Sequence, residues 1–153
     1  MARSSRVRHG RRVREAAAPG YAPPPQELAG VLYDTDVVIE ILRGRRPIVE
    51  AAIRLEASGE PTYCTPIAYA EVYAGIRLEE DVLTQGFFGA RGEVVLDSAI
   101  GRHAGGYLAR YARSHGVELA DAVVAAAASV SGLTLWTLNR KHYPMQDVTF
   151  FDH

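Results

Sequence analysis

The chain has 153 residues, 48% of them hydrophobic and 23% charged, and a formal net charge of −1. These values are typical of one soluble globular domain, and the single cysteine, Cys64, excludes an internal disulfide and a cysteine-rich metal site. A lone cysteine and the lack of an apolar run of about 18 residues predict a cytoplasmic protein without a membrane span.

Residues 1–30 differ from the rest in charge. They carry six arginines and two glutamates, a net of +4, whereas residues 31–153 carry 11 basic and 16 acidic residues, a net of −5. The arginines are followed by alanines and prolines without periodicity, which predicts a disordered basic and proline-rich tail over 1–30 and a folded domain over 31–153. A nucleic-acid-binding arm, or an upstream start assignment with the working chain beginning near Val31, are the alternatives. The acidic domain would need local basic residues or a metal to bind a polyanion.

The first structured stretch runs from Val31 to Gly44. An apolar strand ends at Asp34, and a helical apolar pattern follows Asp36. A carboxylate at the end of a buried strand gains no helix cap there and needs a cation or hydrogen-bond donors, which favours a functional role for Asp34. Asp36 is either a residue of the helix start or a ligand.

The next elements are a helix over 46–59, a short strand over 61–65 and a helix that begins with Thr65 as N-cap and Pro66 at its first position. Glu71 lies within this apolar helix. A surface glutamate is one interpretation, but the apolar neighbours favour a site residue.

Residues 78–92 form a second, looser helical segment, and 93–97 form a strand whose Asp97 fits the N-cap of a helix over 98–115. The helix from Ala122 onward is so apolar that it is buried on most sides. Asp121 at its start is either a cap or, preferably, a site residue that points into a cleft. A buried strand over 133–138, a polar loop and a last short strand over 148–151 complete the chain.

The alternation of strands and helices predicts an α/β fold, a three-layer α/β/α sandwich with a mainly parallel central sheet. Strand ends and helix starts would then bring Asp34, Glu71 and Asp121 to one edge. Three carboxylates about 4–5 Å apart repel by roughly 3–4 kcal/mol per pair unless a cation binds them. An all-oxygen set selects Mg²⁺, or Mn²⁺, over zinc.

A carboxylate-held Mg²⁺ that exposes a water at a sheet edge is suited to phosphodiester hydrolysis, with the metal activating the water. Basic residues near the two strand ends could bind backbone phosphates, or could be ordinary solvated charges. They are Arg43, Arg45, Arg46, Arg140 and Lys141.

Four motifs resemble PIN-domain ribonucleases, especially the VapC-type toxins of bacterial toxin–antitoxin pairs. They are L-Y-D-T-D-V-V-I-E-I-L-R-G at 32–44, P-I-A-Y-A-E-V-Y-A-G-I at 66–76, H-G-V-E-L-A-D-A-V-V-A-A-A-A at 115–128 and L-W-T-L-N-R-K-H-Y-P at 135–144. The resemblance implies a Mg²⁺-dependent endoribonuclease with Asp34, Glu71 and Asp121 as its catalytic, metal-binding acids. It also implies homodimerisation and inhibition by a small, often DNA-binding, antitoxin.

The chain departs from the family pattern at two places. Asp36 stands where the family commonly has Asn, and the final loop has Asn139 and His142 where many members supply a fourth acid. Asn139 is the preferred fourth ligand, while His142, Glu118 and Asp36 are alternatives.

Two rival functions remain. The run D-T-D-V-V at 34–38 also fits the start of a haloacid-dehalogenase-type phosphatase, with Thr137 and Lys141 in its later motifs, although the terminal Gly-Asp is missing. A binding module that keeps the fold but has lost catalysis is the non-enzymatic alternative.

Overall fold

The computed structural model describes residues 27–153, so all but the last four residues of the tail predicted over 1–30 lie outside the described part of the chain. Four strands and six α-helices alternate in the predicted order. The strands are β1 (Val31–Tyr33), β2 (Thr62–Cys64), β3 (Gly92–Glu93) and β4 (Thr134–Trp136). The helices are α1 (Thr35–Leu42), α2 (Arg46–Ala57), α3 (Pro66–Gly75), α4 (Asp81–Gly89), α5 (Ser98–His115) and α6 (Leu119–Ser131).

The strands form one parallel sheet in the order β3-β2-β1-β4. Leu32 of β1 is paired with Tyr63 on one side and with Leu135 on the other. Both central strands, β1 and β2, are apolar because helices cover both faces of a parallel sheet. The carboxyl ends of β1 and β4 therefore lie side by side.

Alternate residues of the strands face two separate apolar layers. Val31, Tyr33 and Trp136 pack with α1 to α4, whereas Leu32 and Leu135 pack with α5 and α6. This period of two is the normal geometry of a strand. The predicted three-layer α/β/α sandwich with a parallel sheet is thus confirmed.

Helix α6 is the most buried helix of the fold, as its alanine-rich sequence predicts. Residues 125–128 are four successive alanines without exposed surface, and α5 packs along this helix. Small side chains allow the two helices to approach closely. The first turn of α6, and Asp121 in it, is thereby fixed relative to the sheet.

Several predicted boundaries were wrong. The strand predicted over 93–97 pairs only at Gly92–Glu93, with one further backbone bond from Val94 N to the Cys64 carbonyl, because β2 ends at Cys64 and offers no later partner. The helical segment predicted over 78–92 is a 3₁₀ turn at Leu78–Glu80 followed by α4. The last strand predicted over 148–151 reduces to a single parallel bridge between Leu135 and Phe150.

The predicted helix starts at Thr65 and Asp97 are confirmed. The Thr65 side chain accepts from Ala68 N at 3.4 Å, and that of Asp97 accepts from Ile100 N at 2.9 Å. Each caps one of the helix N–H groups that lack an intrahelical partner.

The folded structure begins before Val31. Leu28 N donates to the Ser131 carbonyl at 2.8 Å, and its half-buried side chain packs against the α5–α6 layer. Gly30 has φ +133°, and a Cβ there would lie 2.1 Å from the Pro61 carbonyl oxygen. Only glycine fits this conformation and this approach.

No helix among residues 27–153 combines the length and the apolar character that crossing a bilayer requires.

Candidate active site

The carboxyl edge of the sheet collects the acidic residues of the central strands. Asp34 and Asp36 follow β1, and the segment Thr137–Asn139 follows β4, which is the neighbouring strand. Asp121 lies in the first turn of α6. In parallel α/β sheets, ligands bind beyond this edge.

Asp34 is held by hydrogen bonds to both of its carboxylate oxygens. Thr35 N donates to Oδ1 at 2.8 Å, and the Tyr143 hydroxyl donates to Oδ2 at 2.7 Å. Asp34 itself is the N-cap residue of α1, which corrects the prediction that it gains no cap. Each oxygen keeps lone-pair capacity for a further partner, since a carboxylate has about four acceptor sites.

Asp36 lies inside the first turn of α1 and points to the segment after β4. Its Oδ2 accepts from Leu138 N at 3.0 Å and from the Thr137 hydroxyl at 3.4 Å, while its Oδ1 is buried without a hydrogen-bond partner. Burial, together with the charge of Asp34, raises the pKa of Asp36 to about 6. Asp36 therefore ties α1 to the loop after β4 and adds negative charge to the site.

Asp121 faces the same edge from α6. Burial raises its pKa and the charge of Asp34 acts in the same direction, whereas His142, 3.8 Å away through Nδ1, acts to lower it. Glu118 occupies the N-cap position of α6 without a capping bond from its side chain and is exposed. Asp121 is not the cap of this helix. It faces His142, and Asp34 accepts from the neighbouring Tyr143, so both carboxylates lie against the same part of the final loop.

The loop after β4 joins this site through two residues. The amide nitrogen of Asn139 lies 2.9 Å from His142 Nε2, and the opposite ring nitrogen faces Asp121. An amide N–H donates, so Nε2 is the acceptor and Nδ1 carries the proton that points to Asp121. His142 links Asn139 to Asp121 and is more than an ordinary loop residue.

Glu71 is placed elsewhere. It is exposed and lines a cavity of about 450 Å³ between α1 and α3, together with Ile39 and Arg43. This cavity adjoins the carboxylate site along α1, since Ile39 lies one helical turn after Asp36. The structure brings Asp34 and Asp121 together but does not join Glu71 to them, and its ligand role stays a prediction.

The predicted phosphate-binding residues are exposed near the site but already paired. Arg43 and Arg45 contact Glu40 at 3.4 and 3.2 Å, and Arg46 contacts Glu50 at 2.7 Å. Arg140 contacts Asp152 and donates to the Phe151 carbonyl at 3.0 Å. Lys141 is exposed and makes no salt bridge within residues 27–153. Such surface pairs are weak and can be exchanged for a phosphate.

The charge balance of the site fits a divalent cation. Within the described range no lysine or arginine makes a salt bridge to Asp34, Asp36 or Asp121, and burial and repulsion raise the pKa of the last two. No three acidic, histidine or cysteine side chains of residues 27–153 already form a complete metal site. The predicted three-acid cluster is therefore not assembled in the structure, and what favours a hard ion such as Mg²⁺ is the oxygen-only donor set of Asp34, Asp36 and Asp121.

Comparisons with known proteins agree with this arrangement. The PIN domain family matches residues 31–147. Ribonuclease VapC19 of Mycobacterium tuberculosis is 31% identical over 115 residues, which cover 74% of this chain and 92% of the relative. Ribonuclease VapC10 of the same organism is 33% identical over 116 residues, which cover 75% and 86%.

A solved structure shows the same fold. The DNA-bound VapBC from Salmonella typhimurium superposes with a TM-score of 0.69 at 20% identity, covering 82% of this chain and 98% of that one. A PIN-domain match over these residues replaces the dehalogenase-type phosphatase interpretation of the D-T-D run. The chain belongs to the PIN-domain family, and within it to the VapC type.

Proposed function

We propose that this protein is a Mg²⁺-dependent endoribonuclease and the toxin of a toxin–antitoxin pair. The observation that carries the proposal is that Asp34 and Asp121, 87 positions apart by their numbering, face consecutive residues of the final loop, Tyr143 at 2.7 Å and His142 at 3.8 Å. The PIN-domain match over residues 31–147 includes both acids.

The residues at the carboxyl edge of the sheet would have different roles in the reaction. Asp34 and Asp121 would hold the ion, with Asn139 as a weaker oxygen donor. A bound Mg²⁺ supplies a Lewis acid that orients the phosphate and lowers the pKa of a water. Asp36 fixes the loop after β4 through Leu138 N, and His142 keeps the Asp121 carboxylate oriented.

The exposed basic residues would bind the phosphates that flank the cleaved bond. Lys141 is available without breaking a salt bridge within the described residues, while Arg43 and Arg140 must exchange Glu40 and Asp152 for a phosphate. This order of availability makes Lys141 the first phosphate contact and the two arginines later ones.

Glu71 keeps its proposed role as the third acid. Its exposed side chain on α3 lines the same cavity as Ile39 of α1, and an exposed side chain can adopt other staggered rotamers. Its movement toward Asp34 would complete a three-acid site.

The proposed partners are RNA as substrate, a cognate antitoxin and a second copy of the chain. The antitoxin proposal is supported by the solved structures of similar fold, several of which are toxin–antitoxin complexes. The homodimer proposal is supported by an apolar patch at the start of α4, where Leu78, Val82 and Leu83 are all more than 60% exposed.

The decisive experiment is RNA cleavage by the purified full chain with Mg²⁺ and with EDTA. We expect cleavage that requires the metal, and a loss of kcat/KM of at least ~100-fold, or about 2.7 kcal/mol, in Asp34→Asn and in Asp121→Asn. Glu71→Gln should lose at least ~10-fold. Hydrolysis of a small phosphate ester should be absent in all of them.

Glu60→Gln is the matched control, since it removes one exposed carboxylate just before β2, at the opposite end of the strands from the site. It should retain full activity. Circular dichroism of each variant separates lost chemistry from lost structure. A folded wild-type chain that binds RNA without cutting it would instead identify a binding module.

A further inference from the structure

Tyr143 of the final loop reaches Asp34, the carboxylate that follows β1. Its ring is 4% exposed and belongs to the α5–α6 layer, while its hydroxyl lies 2.7 Å from Asp34 Oδ2. Phe150 fixes the ring from the other side, with the ring centroids 6.4 Å apart and the planes at 67°. The hydroxyl is therefore delivered to Asp34 by a ring that cannot swing away without opening the core.

The hydroxyl at this place acts as a hydrogen-bond donor. A carboxylate oxygen can only accept, so at a distance of 2.7 Å the hydroxyl donates its proton to Asp34 Oδ2. The Tyr143 hydroxyl occupies one of the two lone pairs of Asp34 Oδ2 and thereby fixes the orientation of the carboxylate. The remaining acceptor sites of Asp34 then point to fixed places.

A buried tyrosine hydroxyl often needs a partner for solvation alone. Two features of this hydrogen bond indicate a role beyond the solvation of the hydroxyl. The acceptor is the residue that heads the site and caps α1, and its other oxygen is held by Thr35 N, so that both Asp34 oxygens are fixed from opposite directions. Hydrogen bonds from surrounding residues to a ligating carboxylate typically change metal affinity or activity 10- to 100-fold.

We propose that Tyr143 is a positioning residue that presents the Asp34 carboxylate to a divalent ion through its O–H to Oδ2. The proposal rests on the proposed function, because it assumes that Asp34 binds the ion. It assigns to the final loop a contribution to metal binding that comes from a hydroxyl and requires no fourth acid.

A matched control is Tyr107 of α5, whose hydroxyl bonds Asp147 at the far end of the same loop. Its hydroxyl donates to Asp147 Oδ2 at 2.7 Å, and His103 Nε2 and Ser129 Oγ contact the same oxygen at 3.0 Å. Tyr107 is also buried, at 6% exposure. Tyr107→Phe and Tyr143→Phe each remove one tyrosine–aspartate hydrogen bond from this loop, but only the second removes it from the carboxylate site.

The test is Mn²⁺ binding to the full chain by isothermal titration calorimetry. We expect Tyr143→Phe to raise the Kd for Mn²⁺ about tenfold, and Tyr107→Phe to leave it within twofold of wild type. Replacing the Tyr143 ring with 4-aminophenylalanine, which keeps a donor at the same place, should restore most of the affinity. This replacement also decides the matter if the phenylalanine variant does not fold.

Asp34→Asn separates this proposal from the one it rests on. If Asp34→Asn abolishes Mn²⁺ binding while Tyr143→Phe binds as wild type does, Tyr143 has a structural role alone and the inference fails while the proposed function stands. If Asp34→Asn binds Mn²⁺ unchanged, Asp34 is not a ligand, and both proposals fall.

Discussion

Asp34 and Asp36 are separated by a single residue, and α1 begins between them. Asp34 caps the helix in an extended conformation, with φ −72° and ψ 157°, and its oxygens reach Thr35 and Tyr143. Asp36 is already helical and bonds the loop after β4. Two acids that look equivalent in the sequence therefore have different contacts: Asp36 links α1 to the loop after β4, while Asp34 is the one proposed as a metal ligand.

The folded state disfavours the ionised form of Asp36, which predicts that a neutral side chain at this position stabilises the protein. The folded-state pKa of Asp36, about 6, lies above its ordinary value of 3.8, so ionisation opposes folding. The penalty is absent at low pH, grows as the pH rises from 3.8 to 6 and is complete above that. Asp36→Asn removes it and keeps an acceptor for Leu138 N, so in EDTA we expect about 1–3 kcal/mol of added stability at pH 8 and little at pH 4.

Urea unfolding at both pH values measures the effect of Asp36→Asn, with Asp152→Asn as a comparison that removes an exposed acid. Equal stability of wild type and Asp36→Asn at pH 8 would contradict the prediction.

For single residues, the sequence predicted where the acidic side chains lie better than it predicted which residues contact them. The location of Asp34 and Asp121 at the carboxyl edge could be predicted, because one follows a buried strand and the other heads a buried helix, while their role as ligands stays a prediction. The contacts of Tyr143 and His142 could not, because they join residues 109 and 21 positions apart through the path of an irregular loop. Glu71 was expected beside Asp34, yet helical periodicity does not say which rotamer a long side chain adopts.

The elements were predicted in the right order because caps and periodicity are local properties. Thr65 and Asp97 mark their helices by their own hydrogen bonds to the backbone. Strand lengths depend on partners that are distant in the chain, and β3 is short because β2 ends at Cys64. The loop from 137 to 148, which carries Asn139, His142 and Tyr143, is fixed at its far end by Asp147 against α5 and α6.

Because the Asp147 carboxylate makes these hydrogen bonds, we expect the stability of the protein to depend on pH. Partial burial acts to raise the pKa of Asp147, but hydrogen bonds from Tyr107, His103 and Ser129 outweigh it and lower the pKa. A lowered folded-state pKa stabilises the fold above the ordinary value near 3.8, and this contribution is lost as the pH falls through the lowered value. We expect Asp147→Asn to cost about 1 kcal/mol at pH 6, a modest figure because the side chain is 48% exposed, and almost nothing near pH 3.

Unfolding of Asp147→Asn and wild type by urea between pH 3 and pH 7 tests this attachment. A cost that is the same at every pH would show that Asp147 stabilises the loop by packing and not through its charge.

The whole molecule combines a basic N-terminal segment with an acidic folded part, and the boundary between them is set by packing. The sequence placed the boundary at residue 30, because the first apolar strand begins at Val31, after an arginine-rich and proline-rich segment that ends at Pro25. Leu28 nevertheless packs on the α5–α6 layer, and the Gly30 carbonyl accepts from Thr134 N at 3.0 Å. The residues from Leu28 to Gly30 are too few to show a hydrophobic periodicity, so the sequence did not identify them as part of the fold.

The boundary can be tested with two shortened chains. A chain that starts at Glu27 should unfold at the same urea concentration as the full chain, because it keeps every contact described for Leu28 and Gly30. A chain that starts at Val31 should lose about 1–3 kcal/mol, because it lacks the Leu28 bond to Ser131, the Thr134 bond to Gly30 and part of the apolar burial. Equal stability of both shortened chains would place the boundary at residue 30 after all.

The single bridge between Leu135 and Phe150 has a consequence for how copies of this protein behave when crowded. Leu135 N donates to the Thr149 carbonyl at 2.8 Å, and Phe151 N donates to the Leu135 carbonyl at 2.9 Å, so the outer side of β4 is already occupied. The opposite rim, β3, has only two residues. Neither rim offers a long open row of backbone groups to a foreign strand, which protects the sheet against fibrous aggregation.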